Sequence, residues 1–317
     1  MSESTQTPTP KEKTFTGYTK EQGQNYAQYR LDYHESVYNT VIDRHSSTGG
    51  KFDTLLDLGC GPGQAARALA PRFTNIIGLD PSEGMITTAR SIPGTEKPIR
   101  FEISSAEELG SNLDPPIADS SIDLITASTC AHWFDMDRFW PRAAQVLKPG
   151  GSVAIWVSGE AGPHPDVPNA KAIAAALKKN REENLLPFYE PGNLMASDLY
   201  VDLPLPWTIA KPVDDFDQST YLRKEWEGGE PFYAIPEQLK EAGMDLFEKI
   251  MGTVSPVTRW REAHPDAVGT EKDVVRMIRR EIERLLHEAG VEKGKEKLWS
   301  LATGVVIVIK KKASESS

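Results

Sequence analysis

An acid and three glycines, each two residues apart, stand in the first third of the chain as Asp57, Gly59, Gly61 and Gly63. They lie at the end of the apolar run TLLDLG, which predicts a buried strand. In open α/β sheets ligands bind beyond the carboxyl ends of the strands, and glycines there let a ligand approach the backbone closely. Asp80 ends the next predicted strand, 21 residues after Gly59, where its carboxylate can accept both hydroxyls of a ribose. The spacing therefore predicts a nucleoside site.

A nicotinamide dinucleotide is the competing ligand, because its fingerprint is Gly-x-Gly-x-x-Gly. Counted from Gly59, the third glycine would fall at Gln64, which excludes that register. Counted from Gly61 it would fall at Ala66, which some dinucleotide folds accept, so that register stays open. A ligand without phosphate fits the acids better, since Asp57 can hold an ammonium group directly or through water.

The elements that must position these residues alternate along the chain. Apolar runs predict strands at 54–59, 75–80, 100–105, 121–128, 152–158 and 304–311. Helices are predicted between them, with Ser82 and Asp135 as caps at two helix starts. Apolar strands that alternate with helices indicate a parallel sheet covered on both faces. The fold class is therefore a doubly wound, Rossmann-like α/β sheet.

The composition changes after Gly159, where prolines and aromatic residues become frequent. Helical patterns follow from Leu239 to Met251 and from Val274 to Leu286. We expect an α-helical, aromatic-rich cap that forms the binding site for the second substrate, the acceptor of the reaction. The expected organisation is a disordered tail (1–16), a core with an N-terminal helical arm (17–159), the cap insertion (160–303), a last core strand (304–311) and a second disordered tail (312–317).

The charge balance argues against a nucleic-acid partner. The 317 residues include 36 basic and 46 acidic side chains, a net charge of −10, which is unsuited to covering phosphates. The two cysteines, Cys60 and Cys130, cannot form a disulfide framework or a zinc site alone, so no metal is expected. No apolar run is long enough to span a bilayer, and the first residues are polar. These features favour a soluble, cytoplasmic protein without a membrane partner; they leave the oligomeric state open.

Residues 126–135, Thr-Ala-Ser-Thr-Cys-Ala-His-Trp-Phe-Asp, carry a family resemblance. They are similar to the trans-aconitate methyltransferase group, which includes small-molecule methyltransferases linked to cantharidin resistance. The glycine loop likewise resembles the S-adenosylmethionine (SAM) loop of class I methyltransferases. Residues 26–33 resemble the family's Tyr…Arg-Pro-x-Tyr segment, with Leu31 in place of the proline. The resemblance extends over about residues 18–158 and is poor in the cap.

The resemblance implies an enzyme that methylates a small molecule with S-adenosyl-L-methionine as cofactor. It implies a cofactor site formed by Tyr26, Arg30, Asp57, Gly59, Cys60, Gly61, Asp80, Pro81, Met85, Ser105, Ala106, Thr129, His132 and Trp133. Within it, Ser105 and Ala106 are candidates for the adenine edge. Arg30 could hold the methionine carboxylate, or it could be a surface arginine of a helix. Cys60 is more typical of a small packed residue than of a nucleophile.

The expected chemistry is in-line transfer of the methyl group to a carboxylate of a trans-aconitate-like acid. The alternative is S- or O-methylation of a natural product. His132 is the candidate catalytic residue, because it follows a strand end and can act as a general base. Contact with cofactor or acceptor, and a purely structural role, remain open for His132.

Candidate acceptor contacts come from the aromatic and basic residues near or in the cap. They are Trp133, Phe134, Arg223 and Trp260. A carboxylate acceptor needs cationic partners, for which Arg223, Lys224, Arg259 and Arg261 are available. If none of these faces the cofactor, a polyanionic acid becomes a poor substrate, and a neutral or sulfur-bearing acceptor is favoured.

Two other functions compete with a small-molecule methyltransferase. A nicotinamide oxidoreductase is opposed by Gln64 in the loop. A methyltransferase-like binding protein without turnover would be favoured by a damaged cofactor loop, but no residue of the motif is missing.

Overall fold

A mixed seven-stranded sheet forms the centre of the protein in a computed structural model, which describes residues 13–94, 96–235 and 243–314. The strands are β1 (Thr54–Leu58), β2 (Asn75–Asp80), β3 (Ile99–Ile103), β4 (Ile122–Ser128), β5 (Leu147–Pro163), β6 (Phe216–Trp226) and β7 (Ser300–Lys311). They lie in the order β3-β2-β1-β4-β5-β7-β6. Strands β1 to β5 pair in parallel, and β7 runs antiparallel to both of its neighbours. The predicted doubly wound α/β fold is confirmed.

Ten helices of the described residues cover this sheet and build the cap. They are α1 (Lys20–Tyr29), α2 (Glu35–Ser47), α3 (Gln64–Leu69), α4 (Glu83–Ser91), α5 (Met136–Val146), α6 (Ala170–Asn180), α7 (Pro191–Ser197), α8 (Met244–Met251), α9 (Ser255–Ala263) and α10 (Val274–Glu288). As predicted, the side chains of Ser82 and Asp135 cap α4 and α5. Across the described ranges, no helix combines the length and apolar character needed to cross a membrane.

The central strands bury both of their faces. Successive residues of a strand point to opposite sides of the sheet. Leu55 and Leu124 accordingly pack in one apolar cluster with α2 and α3, while Leu56 and Ile125 pack in another with α5. All four side chains are fully buried, and each contributes roughly 1.5–3 kcal/mol relative to exposure. This double burial explains why leucine and isoleucine occupy adjacent positions on β1 and on β4, on both faces of the sheet.

The predicted cap boundaries require correction, because the chain returns to the sheet inside residues 160–303. Strand β6 pairs with β7 at the sheet edge. Its sequence, FDQSTYLRKEW, is mostly polar, and its register shifts between Asp217 and Leu222. Edge strands favour charged residues and irregularities of this kind. An edge strand is therefore hard to recognise from its sequence. The described residues of the cap therefore lie in two segments, one within 164–215 and one within 227–235 and 243–299, on either side of β6.

The ends of the predicted elements also differ from the observed ones. Strand β5 continues to Pro163, and strand β7 already begins at Ser300. Both are longer than predicted because they pair with each other along these extensions. The helical pattern predicted from Leu239 is a helix only from Met244 in the described part, and Leu239 itself lies outside the described residues.

The tail predicted at residues 1–16 is too long by at least four residues. Residues 1–12 lie outside the described part, but residues 13–16 form a turn whose Phe15 ring packs against Tyr18 and Tyr26. At the other end, Lys312 still donates its backbone N–H to the Asp215 carbonyl, and residues 315–317 lie outside the described part.

Candidate functional site

One cavity of about 300 Å³ opens at the carboxyl ends of the parallel strands, between the sheet, the N-terminal arm and the cap. Its size and mixed lining are typical of small-molecule sites. All residues of the expected cofactor set line it except Asp57 and Cys60. Among the described residues, no group of three or more His, Cys, Asp or Glu converges as a metal site would require.

The glycine loop and Asp80 form the floor of the cavity. Gly59, Gly61 and Gly63 all have positive φ values, of 55°, 52° and 89°, which only glycine adopts without strain. A Cβ at Gly61 would meet no protein atom within 4 Å, so the loop leaves open space there. Asp80 accepts hydrogen bonds from the backbone N–H groups of Gly61 (2.9 Å) and Ser82 (2.8 Å). This carboxylate therefore holds the loop and the start of α4 in one arrangement while it faces the cavity.

Asp57 lies beneath the loop rather than in the cavity. Its side chain is fully buried, and Oδ1 accepts a hydrogen bond of 2.7 Å from the Thr126 hydroxyl on β4. Oδ2 has no hydrogen-bond partner. Burial raises the pKa of this carboxyl to about 7. The sequence predicts that Asp57 holds a ligand ammonium directly or through water, but its side chain is absent from the cavity lining.

Cys60 also points away from the cavity. It is buried next to Gly78, its backbone N–H donates to the Leu79 carbonyl, and burial raises the pKa of its thiol well above the ordinary range. A protonated, enclosed thiol is unreactive, so Cys60 packs the loop against β2.

The end of the cavity near β2 and β3 is lined by Pro81, Met85, Ser105 and Ala106. Ser105 is held in place because its hydroxyl accepts the backbone N–H of Glu108 at 3.3 Å. Next to it, the Glu107 carboxylate accepts the backbone N–H of Asp135. This end combines apolar side chains with fixed polar groups, as a purine requires.

Arg30 brings a positive charge to the cavity from the N-terminal arm. Its guanidinium lies 4.9 Å from the Tyr26 ring centre and donates to the Thr253 carbonyl at 3.3 Å. Its Nε is buried without a partner, and no carboxylate of the described residues pairs with it. Arg30 is also the only Lys or Arg among the described residues that line the cavity. It is therefore available for an anionic group of a ligand.

A strained residue follows β4 at the cavity wall. Thr129 has a φ of +52°, which is unusual for a β-branched residue. Its hydroxyl lies 2.8 Å from that of Tyr33, and its backbone N–H donates to the Trp156 carbonyl. Such strain persists only where the surroundings enforce it, and it is common at functional sites. It turns the following residues, including His132, towards the cavity.

His132 lines the cavity and is held from behind by the cap. Its Nδ1 lies 2.8 Å from the hydroxyl of Tyr200, and its ring packs against that of Trp133 with centres 4.7 Å apart. Nε2 has no partner among the described residues. Burial lowers the pKa of His132 to about 3, so its imidazole is neutral near pH 7.

The remaining wall comes from the cap and from the segment after β4. Trp133 and Phe134 line the cavity as the sequence predicts. Opposite them lie cap residues that sequence reasoning did not identify: Tyr189, Asn193, Ala196, Ser197, Val254, Ser255 and Pro256. Pro191 suits the first turn of α7, but this local signal does not indicate the wall. Their convergence depends on how α7 and α9 pack, which no spacing reveals.

Two predicted acceptor contacts lie elsewhere. Trp260 is buried in a helical cluster of the cap, where it stacks on His264 at 4.3 Å. Arg223 lies on β6, where it bonds to the Leu199 carbonyl and Glu225. Both predictions are corrected, because these side chains are used in packing.

The other candidate cations are also absent from the cavity lining. Lys224 lies over the Trp226 ring, and Arg261 pairs with Asp273. Arg259 binds Thr14, Glu190 and other groups behind the cap wall, joining α9 to the N-terminal arm.

Comparison with known proteins shows which family the core resembles. Residues 56–155 match the methyltransferase domain family. A protein of Dictyostelium discoideum, named among the methyltransferases, is 33% identical over 153 residues, or 48% of this chain and 52% of that protein. CRG1 of Saccharomyces cerevisiae, whose name describes an S-adenosylmethionine-dependent methyltransferase, is 30% identical over 42% of this chain and 44% of its own length. The chain thus spans about half the length of these relatives.

The fold has a counterpart among solved structures. A type II methyltransferase structure from Anaeromyxobacter dehalogenans aligns with a TM-score of 0.57 at 23% identity, covering 90% of this chain and 98% of that one. This likeness concerns the fold. Residues 56–155 thus resemble a methyltransferase domain. The narrower resemblance to the trans-aconitate group stays a prediction.

Proposed function

We propose that the protein is a SAM-dependent methyltransferase that acts on a small molecule. One observation carries this proposal: the glycine loop, Asp80 and Arg30, a cation that no carboxylate of the described residues pairs with, all face one cavity, which the cap closes from the other side. A nucleoside with an amino-acid tail requires this combination, because it presents a ribose, a purine and a carboxylate.

Each part of the cofactor has a suitable partner on the chain. The Asp80 carboxylate would accept the ribose hydroxyls, and the apolar end at Met85 and Ala106 would receive the adenine. Arg30 would pair with the methionine carboxylate, which would satisfy the buried Nε that no described residue satisfies. The open space at Gly61 would admit the ligand close to the backbone.

When bound, the cofactor supplies an electrophilic methyl group on a positively charged sulfur. The chain itself contributes mainly by aligning the acceptor with that group, and alignment can lower a barrier by roughly 7–11 kcal/mol. Trp133 and Phe134 contribute aromatic walls, which attract cations and exclude water.

The acceptor carries at most one negative charge in this proposal. A trans-aconitate-like acid has several carboxylates, yet Arg30 is the only Lys or Arg among the described lining residues, and the cofactor carboxylate would use it. Asp80 and Glu107 add negative charge to the lining, which further disfavours a polyanion. A monocarboxylate, an acidic hydroxyl or a thiol fits better.

The shape of the cap wall favours a mainly apolar acceptor. Tyr189, Ala196, Val254 and Pro256 supply apolar surface, while Asn193 supplies an amide whose nitrogen bonds to the Ser255 hydroxyl. An apolar enclosure with few polar groups is typical of small-molecule recognition.

Isothermal titration with SAM and with NAD tests the cofactor. We expect SAM to bind and NAD to give no heat. Binding of NAD without binding of SAM would replace this proposal with a nicotinamide oxidoreductase.

Methyl-labelled SAM and a broad metabolite extract, analysed by mass spectrometry, test turnover. We expect a labelled product whose parent compound is small and carries no more than one negative charge. Retained SAM affinity without any labelled product would instead indicate a binding protein.

A further inference from the structure

We propose that Tyr200 holds His132 as a neutral hydrogen-bond donor towards the acceptor, so that the acceptor must enter the site already ionised. This inference rests on the proposed function and assigns Tyr200 as a positioning residue. It replaces the role of general base that the sequence suggests for His132.

The hydrogen-bond geometry around Tyr200 fixes the position of the proton. The Tyr200 hydroxyl lies 2.8 Å from His132 Nδ1, which is its only hydrogen-bond partner among the described residues. The hydroxyl is buried, and a buried O–H group needs an acceptor for its one proton, for which Nδ1 is the group available. The Tyr200 proton therefore points to Nδ1, and the imidazole proton lies on Nε2.

The surroundings hold this arrangement firmly. Tyr200 is 2% exposed, and both Leu199 and Tyr200 have positive φ values, of 51° and 58°. Two consecutive non-glycine residues of this kind require enforcement by packing. Trp133 covers the other side of the His132 ring, so the ring cannot rotate without displacing it.

This arrangement excludes His132 as a base, because its one free lone pair, on Nδ1, is occupied by the Tyr200 proton. Nε2–H is the group left for the cavity. A neutral donor also suits a site that holds a sulfonium, since an imidazolium would repel it.

No other group of the described lining replaces the base. The titratable side chains that line the cavity with His132 are Tyr26, Arg30, Asp80, Glu107, Cys130 and Tyr189. Asp80 and Glu107 accept backbone N–H groups at the cofactor end, near β2 and β3. Burial raises the pKa of the Cys130 thiol well above its usual range and also raises that of Tyr189, so both stay protonated.

The absence of a general base from the described lining determines the class of acceptor. The bond from the acceptor atom to the methyl carbon forms as the carbon–sulfur bond breaks, and the electron pair of that bond passes to sulfur, which becomes neutral. No proton moves in the step when the acceptor is an anion, since it has released its proton to water beforehand. The site therefore suits a thiol, an acidic hydroxyl or a single carboxylic acid, with Nε2–H orienting the anion. Aliphatic amines, which are protonated near pH 7, and unactivated alcohols are excluded, because both would need a base before attack.

Nitrogen-15 NMR of the histidine-labelled protein tests the tautomer without any turnover. His132→Gln identifies the signal, and His45, which has partners on both ring nitrogens, serves as an internal reference. We expect a protonated Nε2 and an unprotonated Nδ1 for His132, unchanged between about pH 5.5 and pH 8. In Tyr200→Phe the two nitrogen shifts should move towards each other as both tautomers become populated. A proton on Nδ1, or an imidazolium near pH 6, would overturn the inference.

The labelled-methyl experiment tests the acceptor class. We expect every methylated product to derive from a thiol, an acidic hydroxyl or a carboxylic acid, and Tyr200→Phe to lower kcat/KM at least tenfold while S-adenosylhomocysteine affinity changes less than threefold. Methylation of an aliphatic amine or an unactivated alcohol contradicts the inference but leaves the proposed function intact. Failure to bind SAM contradicts the proposed function, while the NMR result still decides the role of Tyr200.

Discussion

The Asp80 carboxylate accepts the backbone N–H of Gly61 at 2.9 Å, which joins the end of β2 to the middle of the glycine loop. Its other oxygen accepts the Ser82 N–H at the start of α4. One side chain thus fixes the conformation of the loop, accepts a hydrogen bond at the start of α4 and faces the cavity. The neighbouring strands β1 and β2 can form one site because this carboxylate fixes both of their ends.

Asp80→Ala should weaken SAM binding more than tenfold, measured by isothermal titration. The variant loses the expected ribose acceptor and also releases Gly61, and tenfold corresponds to about 1.4 kcal/mol. Asp53→Ala, a change at an exposed acid before β1, is the control and should leave affinity unchanged. Unaltered affinity in Asp80→Ala would remove this residue from the site.

Arg30→Met should discriminate between cofactor fragments. If the guanidinium pairs with the methionine carboxylate, affinity for S-adenosylhomocysteine should fall at least tenfold, because a buried charge pair is lost. Affinity for methylthioadenosine, which lacks the amino-acid group, should change less than threefold. Arg223→Met, which removes a cation outside the cavity lining, should affect neither ligand. Equal losses for both ligands in Arg30→Met would indicate that Arg30 only supports the arm.

The cofactor half of the cavity could be predicted because its signals are local. Strand, glycine loop and helix follow one another in the sequence, so spacing alone places Gly61 and Asp80 at adjacent strand ends. The depth of Asp57 could not be predicted in this way. Spacing gives its position on β1, but only the packing of β4, through Thr126, shows that its carboxylate is enclosed.

The acceptor half could not be predicted because its residues converge only through tertiary packing. Trp260 and Arg223 have suitable chemistry, yet one is buried among helices of the cap and the other lies on an edge strand. Asn193 and Val254, which do line the cavity, come from the start of α7 and the residue before α9. Tyr200 acts on His132 across 68 residues, a contact that no sequence spacing indicates.

Asp57→Asn should change the pH dependence of stability. The folded-state pKa of about 7 lies above the ordinary value of 3.8, so between these values the folded protein binds more protons than the unfolded chain. Wild-type stability therefore falls as pH rises through this window, by roughly 4 kcal/mol from this residue. The free energy of unfolding of Asp57→Asn, relative to that of wild type, should therefore rise by about this amount between about pH 4 and pH 8.

Urea denaturation at several pH values measures this effect for Asp57. The amide leaves a buried donor unpaired, but that penalty does not vary with pH, so the slope is the informative quantity. Leu56→Val, a buried change on the same strand that does not titrate, should alter stability equally at all pH values. A relative stability of Asp57→Asn that stays flat with pH would show that this carboxyl ionises normally in the folded protein.

Gly192→Ala should narrow the acceptor end of the cavity. A Cβ at Gly192 would lie 2.6 Å from Trp133 Cζ3 and 2.9 Å from the His132 carbonyl oxygen, so either the indole or the start of α7 must move. Overpacking of this kind destabilises a protein by about 1–3 kcal/mol. Because Trp133 lines the cavity, we expect KM for the identified acceptor to rise at least fivefold.

Gly162→Ala is the matched control for this substitution, because a Cβ at Gly162 would meet no atom within 4 Å and its φ is not positive. Its melting temperature and KM should stay close to those of wild type. S-adenosylhomocysteine affinity should change less than threefold in both variants, since the loop at Gly61 lies at the other end of the cavity. If Gly192→Ala instead weakened cofactor binding while KM for the acceptor stayed constant, Trp133 would belong to the cofactor half of the site alone.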